Sequence, residues 1–206
     1  MKDDLFTALR RIGRGYLFIH FHIHIGTLDI LPDWLGYYWI LLGIWTLAKE
    51  VQSAKLLEPF AIAMIAWSGV EWFVKLIGGL LDIPVLSLLV TAITLYLHFQ
   101  LLTDIGTLAD DFGCPEGSTV RKLRTVYTIT HTLSVLKLLF TGSDELNWLL
   151  IGLAVLHILV VIVLYFVLRE LSNDITDIPT PIPISEYRQP EQEAPEPDPA
   201  SEDKTE

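Results

Sequence analysis

The sequence predicts an all-α integral membrane bundle of about six transmembrane helices, paired as three hairpins, with a disordered acidic C-terminal tail. Three observations predict it. First, the 206-residue chain is 51% hydrophobic with a mean hydropathy of +0.46. The apolar residues fall in long runs, such as Trp34 to Ala48, Pro84 to Leu97 and Trp148 to Leu168, where a soluble domain would scatter them. Second, nearly every Lys and Arg falls on one side of these runs. Third, composition changes abruptly near Ile175.

A spanning helix takes about 20 mostly apolar residues. Residues 33–49, 57–79, 84–104 and 147–169 meet that readily. Residues 5–26, with a basic first half, and 120–141, rich in Thr, are weaker. Charge placement settles both, because cytoplasmic loops collect Lys and Arg. With six crossings and the N-terminus inside, Lys2, Arg10, Arg11, Arg14, Lys49, Lys55, Arg121, Lys122, Arg124, Arg169, Arg188 and Lys204 are all cytoplasmic. The outer loops near 27–32, 80–83 and 142–146 hold no Lys or Arg. Removing either weak crossing strands a basic cluster outside. An interfacial or re-entrant first segment is the main competitor. The expected location is therefore the plasma membrane, multi-pass, with both termini cytoplasmic.

The turns carry suitable chemistry. Pro32 and Pro84 fit the first turn of the helices they open, where a backbone N–H is not needed. Asp144 suits the cap of the last helix, with Asn147 in its first turn. Gly78, Gly79 and Gly142 allow tight reversals.

The transmembrane domain is expected over 1–174 and the tail over 175–206. The tail is rich in Pro, Glu, Asp and Ser and poor in aromatics, so it should stay unfolded. Its T-P-I-P-I-P run favours polyproline II. From Leu171 onward the charge is −8, against −3 for the remainder, so the net −11 belongs mostly to the tail. Such a chain presents no surface for nucleic acid. The lipid bilayer is its expected partner, with a second copy or a membrane partner beside it. Cys114 is the single cysteine, which excludes an intrachain disulfide and a Cys-rich metal site.

The outer turns share a spacing. His22 precedes Asp29 by seven residues, Lys75 precedes Asp82 by seven, and Lys137 precedes Asp144 by seven. Gly26 and Gly79 lie three before their acids, and Gly142 lies two before its own. This pattern fits either a threefold hairpin repeat or ordinary interfacial chemistry, with lysines snorkelling outward.

Ionisable groups inside a bilayer are costly and face a bundle interior, a partner or water. On the third helix Ser68, Glu71 and Lys75 share one face, and Glu71 and Lys75 are spaced for an i,i+4 ion pair. The pair reads as a structural salt bridge or as a gated charge pair on a polar path. The fifth helix is lined by hydroxyls that suit helix packing. It carries His131 near mid-depth, and the sixth helix carries His157 at similar depth. Glu71, Lys75, His131 and His157 make the expected polar path.

The first helix ends in F-I-H-F-H-I-H-I-G. On a helix His20 and His24 share a face; on an extended strand His20, His22 and His24 all do. Three imidazoles on one face would suit zinc with one open position. No other cofactor is expected. No P-loop, dinucleotide fingerprint, nucleophile elbow or H-E-x-x-H occurs.

The stretch from Leu28 to Ile44, with Asp29, Pro32, Asp33, Gly36 and Tyr37, resembles an L-P-D-x-x-G-Y segment of small uncharacterised bacterial polytopic membrane proteins. In those, a polar turn after the first hydrophobic segment leads into a helix. The resemblance covers less than a tenth of the chain and implies location and topology, with no activity attached. Physically, Pro32 and Asp33 read as a helix start and Gly36 as a close-packing position.

Three functional readings follow. The leading one is a small transport or channel component, or an accessory membrane subunit, with a polar interhelical path. The others are a metal-dependent membrane enzyme using the outer histidines, and a scaffold that recruits a partner through its tail.

Overall fold

Six α-helices carry the fold in the computed structural model, which describes residues 2–21, 24–25, 28–29, 32–79, 83–136 and 144–177. They are α1 (Lys2–His20), α2 (Asp33–Leu47), α3 (Glu58–Leu76), α4 (Pro84–Asp111), α5 (Glu116–Leu136) and α6 (Asp144–Asp177). A short 3-10 helix, Gln52–Leu57, joins α2 to α3. Each helix packs on its chain neighbours, and α6 closes on α1. The result is a ring in sequence order, with α3 against α4 as its loosest seam.

Three segments are long and apolar enough to cross a membrane: Gln52–Leu76, Val85–Asp111 and Ile151–Asp177. Their apolar side chains divide by depth. Leu97, Leu101, Leu102 and Ile105 of α4 and Val161, Leu164, Leu168 and Leu171 of α6 are buried. Val85 and Trp148, near the other ends of the same helices, are 80% and 77% exposed. Large apolar surface of this kind needs an apolar surrounding.

The first helix is amphipathic. Leu5, Leu9, Ile12, Tyr16 and Ile19 recur at helical spacing and are buried. Arg10 and Arg14 sit off that stripe, with their guanidiniums over Phe6 and Trp39. Small residues let α1 and α2 approach closely. A Cβ on Gly15 would stand 2.7 Å from the Gly36 carbonyl, and one on Gly36 would stand 2.8 Å from the Gly15 carbonyl. Gly43 lies against Ile12 and Ala8 in the same way.

Helix ends follow local chemistry. Asp33 opens α2 behind Pro32, and Pro84 opens α4. Helices α3 and α4 stop alike. Gly78 and Gly113 adopt φ of 74° and 70°, which favours glycine, and the next residue reaches back to a carbonyl five earlier (Gly79 to Val74, Cys114 to Ala109).

Three boundaries differ from the sequence expectation. The first helix stops at His20 instead of running to 26. Beyond it His24 pairs with Asp29 and Ile25 with Leu28 in a two-residue antiparallel ladder. The alternating His and β-branched residues there suit extended backbone. Helix α4 runs seven residues past 104, because Gly113 ends it and hydropathy does not. Helix α6 continues to Asp177, with Ile175 wholly buried, so the tail boundary at 175 falls inside a helix. Residues 178–206, and the expectation of disorder there, lie outside the described residues. So do Asp82, Lys137 and Gly142 of the turn pattern.

Cys114 sits in the α4–α5 turn, 7% exposed. Burial, with Glu116 and Asp174 adding negative charge, pushes its thiol above the ordinary value. A raised pKa leaves less thiolate at neutral pH, and thiolate is the nucleophile. Maleimide should therefore label Cys114 of the folded protein far more slowly than the urea-unfolded chain, with the gap narrowing as pH rises. Equal labelling rates at neutral pH would refute the buried placement.

Candidate functional site: a buried imidazole–phenol cluster

Five helices send aromatic polar side chains to the centre of the ring. Helix α1 supplies Tyr16 and His20, four residues apart and so on one face. Helix α5 supplies Tyr127 and His131 at the same spacing. Tyr37 comes from α2, His98 from α4 and His157 from α6. Their rings form one connected set. Tyr127 lies 4.8 Å from His157, 5.3 Å from His98 and 5.7 Å from His20 between centroids. Tyr16 lies 4.9 Å from His98. His20 and His157 are 5.0 Å apart, and His131 and His157 are 6.0 Å apart.

A hydrogen bond fixes the tautomer of His20. His20 Nδ1 stands 2.8 Å from the Tyr16 carbonyl, which only accepts, so Nδ1 carries the proton. The other nitrogen, Nε2, then accepts from the Tyr127 hydroxyl at 3.1 Å. Thr130 Oγ1 lies 3.0 Å from the Tyr127 carbonyl and 2.8 Å from His157 Nδ1, so it links α5 to α6.

His98 differs from the rest. Its exposure is 0%, and neither ring nitrogen has a hydrogen-bond partner among the described residues. The Tyr16 hydroxyl and His131 Nδ1 are also buried without one. Leaving a polar group in this state costs about 1–3 kcal/mol. Such atoms are rare in folded proteins and call for an explanation.

Further polar groups lie outside the cluster. Tyr37 has its ring 6.1 Å from His98. Glu71 lies on α3, the helix packed against α2. Glu71 pairs with Lys75 at 3.1 Å, and the two side chains are 37% and 62% exposed. Ser68, on the same helix face in sequence, turns back to the Met64 carbonyl at 2.6 Å.

The expected path residues thus fall into two groups. His131 and His157 meet in the cluster. Glu71 and Lys75 pair with each other on α3, partly exposed, and do not join the cluster among the described residues. His20 joins the cluster from the expected metal trio, while His22 and the side chain of His24 lie outside the described residues. Among the described residues, no three His, Cys, Asp or Glu side chains are placed to hold a metal ion. Sequence reasoning passed over Tyr16, His98 and Tyr127, and took Tyr37 only as part of the segment that opens α2. A usable signal was present: Y-x-x-x-H occurs at Tyr16–His20 and again at Tyr127–His131.

Chemically, imidazoles and phenols both donate and accept protons, and here they meet around the buried Tyr16, His98 and Tyr127, with His20, His131 and His157 half-buried. Tyr127 links the groups most directly. Tyr127→Phe keeps the ring but leaves His20 Nε2 without its donor, so it should destabilise the protein by about 1–3 kcal/mol. A thermal-unfolding midpoint unchanged from the parent would show that the His20–Tyr127 bond carries no weight.

No family model, curated protein or solved structure matches the chain.

Proposed function

We propose that this chain is a six-span plasma-membrane protein, with both termini cytoplasmic, that carries protons along a polar interhelical path as a small transport component. The path runs from Lys75 and Glu71, through Tyr37, to His98 and the surrounding His20, Tyr127, His131 and His157. The observation that carries the reading is His98, wholly buried among phenols and imidazoles, with neither nitrogen partnered among the described residues. A protein whose interior needed only to pack would be better served by an apolar side chain there. An imidazole can accept a proton at one ring nitrogen and donate one from the other, which is the property a relay requires.

Topology is part of the same proposal. Helices α1, α2 and α5 are packed in sequence order among the three apolar spans. Short connections between packed neighbours favour alternating up and down directions. Arg10, Arg11 and Arg14 of α1, Lys49 and Lys55 before α3, Arg121 of α5 and Arg169 of α6 then lie at one end, as cytoplasmic loops require. The resemblance to bacterial polytopic proteins agrees with this placement.

The test is proton flux into liposomes containing the purified protein and an internal pH dye. An imposed membrane potential should change internal pH faster than in empty liposomes. Equal rates, with the protein shown to be folded and inserted, would remove the reading.

A further inference from the structure

A second buried titratable group lies outside the cluster. Asp104 of α4 is 2% exposed. Its Oδ1 accepts from the Ser53 hydroxyl at 2.7 Å and from the Gln100 amide at 2.8 Å. Its Oδ2 is buried and has no partner among the described residues. None of the charged groups on the neighbouring elements pairs with Asp104 among the described residues. On α4, Asp110 pairs with Arg121 of α5. Arg124 of α5 donates to Thr103 at 2.8 Å and lies over Phe99. In the 3-10 helix Lys55 is exposed, and Glu58 is the first residue of α3. Among the described residues no cation forms an ion pair with Asp104.

A carboxylate buried without a cation is far more costly than a neutral carboxylic acid. An ionised Asp104 would hold a full charge on two hydrogen bonds, both to Oδ1. A proton on Oδ2 removes the charge and leaves those two bonds in place. We propose that Asp104 is a proton-binding site, a carboxylic acid that carries an exchangeable proton in the folded protein at neutral pH. Its position suits a reservoir for the histidine cluster. It lies six residues from His98 on the same helix, about 9 Å along the axis, on the side where Arg121 and Lys55 lie. That role rests on the path reading; proton binding at Asp104 does not.

The experiment is infrared spectroscopy of the full-length protein in detergent at neutral pH, in H2O and D2O, beside Asp104→Asn. The expected result is a carboxylic-acid C=O band that shifts in D2O and is lost in the variant. A spectrum in which no such band disappears would overturn the proposal, because Asp104 would then be ionised. If Asp104→Asn fails to fold, the parent protein decides. Dicyclohexylcarbodiimide, an apolar reagent that attacks protonated carboxyls, should modify Asp104 in preference to Asp110 and Asp111, as mapped by mass spectrometry. Preference for the latter two would overturn it equally. Flux measured on the same preparation separates the two ideas. The band without flux keeps Asp104 and removes the path; flux without the band does the reverse.

Discussion

His98→Leu is expected to abolish proton flux while leaving the protein as stable as the parent, or more stable by about 1 kcal/mol. The sign follows from what the substitution removes. His98 buries two polar atoms with no partner among the described residues. An apolar side chain of similar size eliminates that penalty while keeping packing against Tyr16, Tyr37 and Tyr127. The same change deletes the group at which the proposed path enters the cluster. Flux should fall to that of empty liposomes, and the unfolding midpoint in detergent should hold or rise. A marked loss of stability with flux intact would assign His98 a structural role. Few residues offer so clean a separation, since a mutation that impairs function by unfolding lowers both readouts together.

Gly36→Ala is expected to destabilise by about 1–3 kcal/mol, because it overfills a close-packed contact. The added Cβ would meet the Gly15 carbonyl at 2.8 Å and Ile19 Cγ1 at 2.6 Å. A side chain can rotate away; a backbone carbonyl moves only if α1 and α2 separate. Gly15→Ala should act alike, its Cβ meeting the Gly36 carbonyl and Ile40. Gly69→Ala and Gly152→Ala supply the control, since nothing lies within 4 Å of either new Cβ. Both should gain up to about 1 kcal/mol from helix propensity. Thermal unfolding of the four variants should split them into two destabilised and two neutral or improved. Four equal midpoints would refute close approach as the reason for glycine. In a bilayer, where lipid is as apolar as leucine, packing of this kind carries much of helix association.

Much of the helical layout was legible in the chain. Apolar runs mark where helices form, and Pro32–Asp33 and Pro84 mark where two begin. Helix ends were less legible. The first segment reads as helical through 26 by hydropathy, yet α1 stops at His20 and a short ladder follows. Hydropathy measures transfer into oil and says little about which backbone geometry the transferred residues adopt. The same limit shortened α4 on paper, since its last turns are polar and its stop is set by Gly113.

The site was legible in fragments. His131 and His157 were selected because ionisable groups in apolar helices are costly, and the structure brings them together. His20 was grouped with His22 and His24 because they are neighbours in sequence; in the fold its partners are Tyr127 and His157. His98 attracted no attention, being one imidazole in a long apolar helix. Its distinction is that neither ring nitrogen has a partner among the described residues, which is a property of its surroundings.

The sequence by itself determined six helices, the amphipathic face of α1, the glycines that admit close packing, and the segregation of basic residues to one side of the apolar runs. Each is a property of residues near one another in the chain, written in composition and spacing. Only the tertiary structure decided which polar residues share a space. The convergence of α1, α2, α4, α5 and α6 on His98, and the burial of Asp104 beside Ser53, depend on contacts spanning 51 to 107 residues. Local propensity carries no record of such pairings. They are set by how six apolar faces close around one another, and a polar group acquires its chemistry from what that closure leaves beside it.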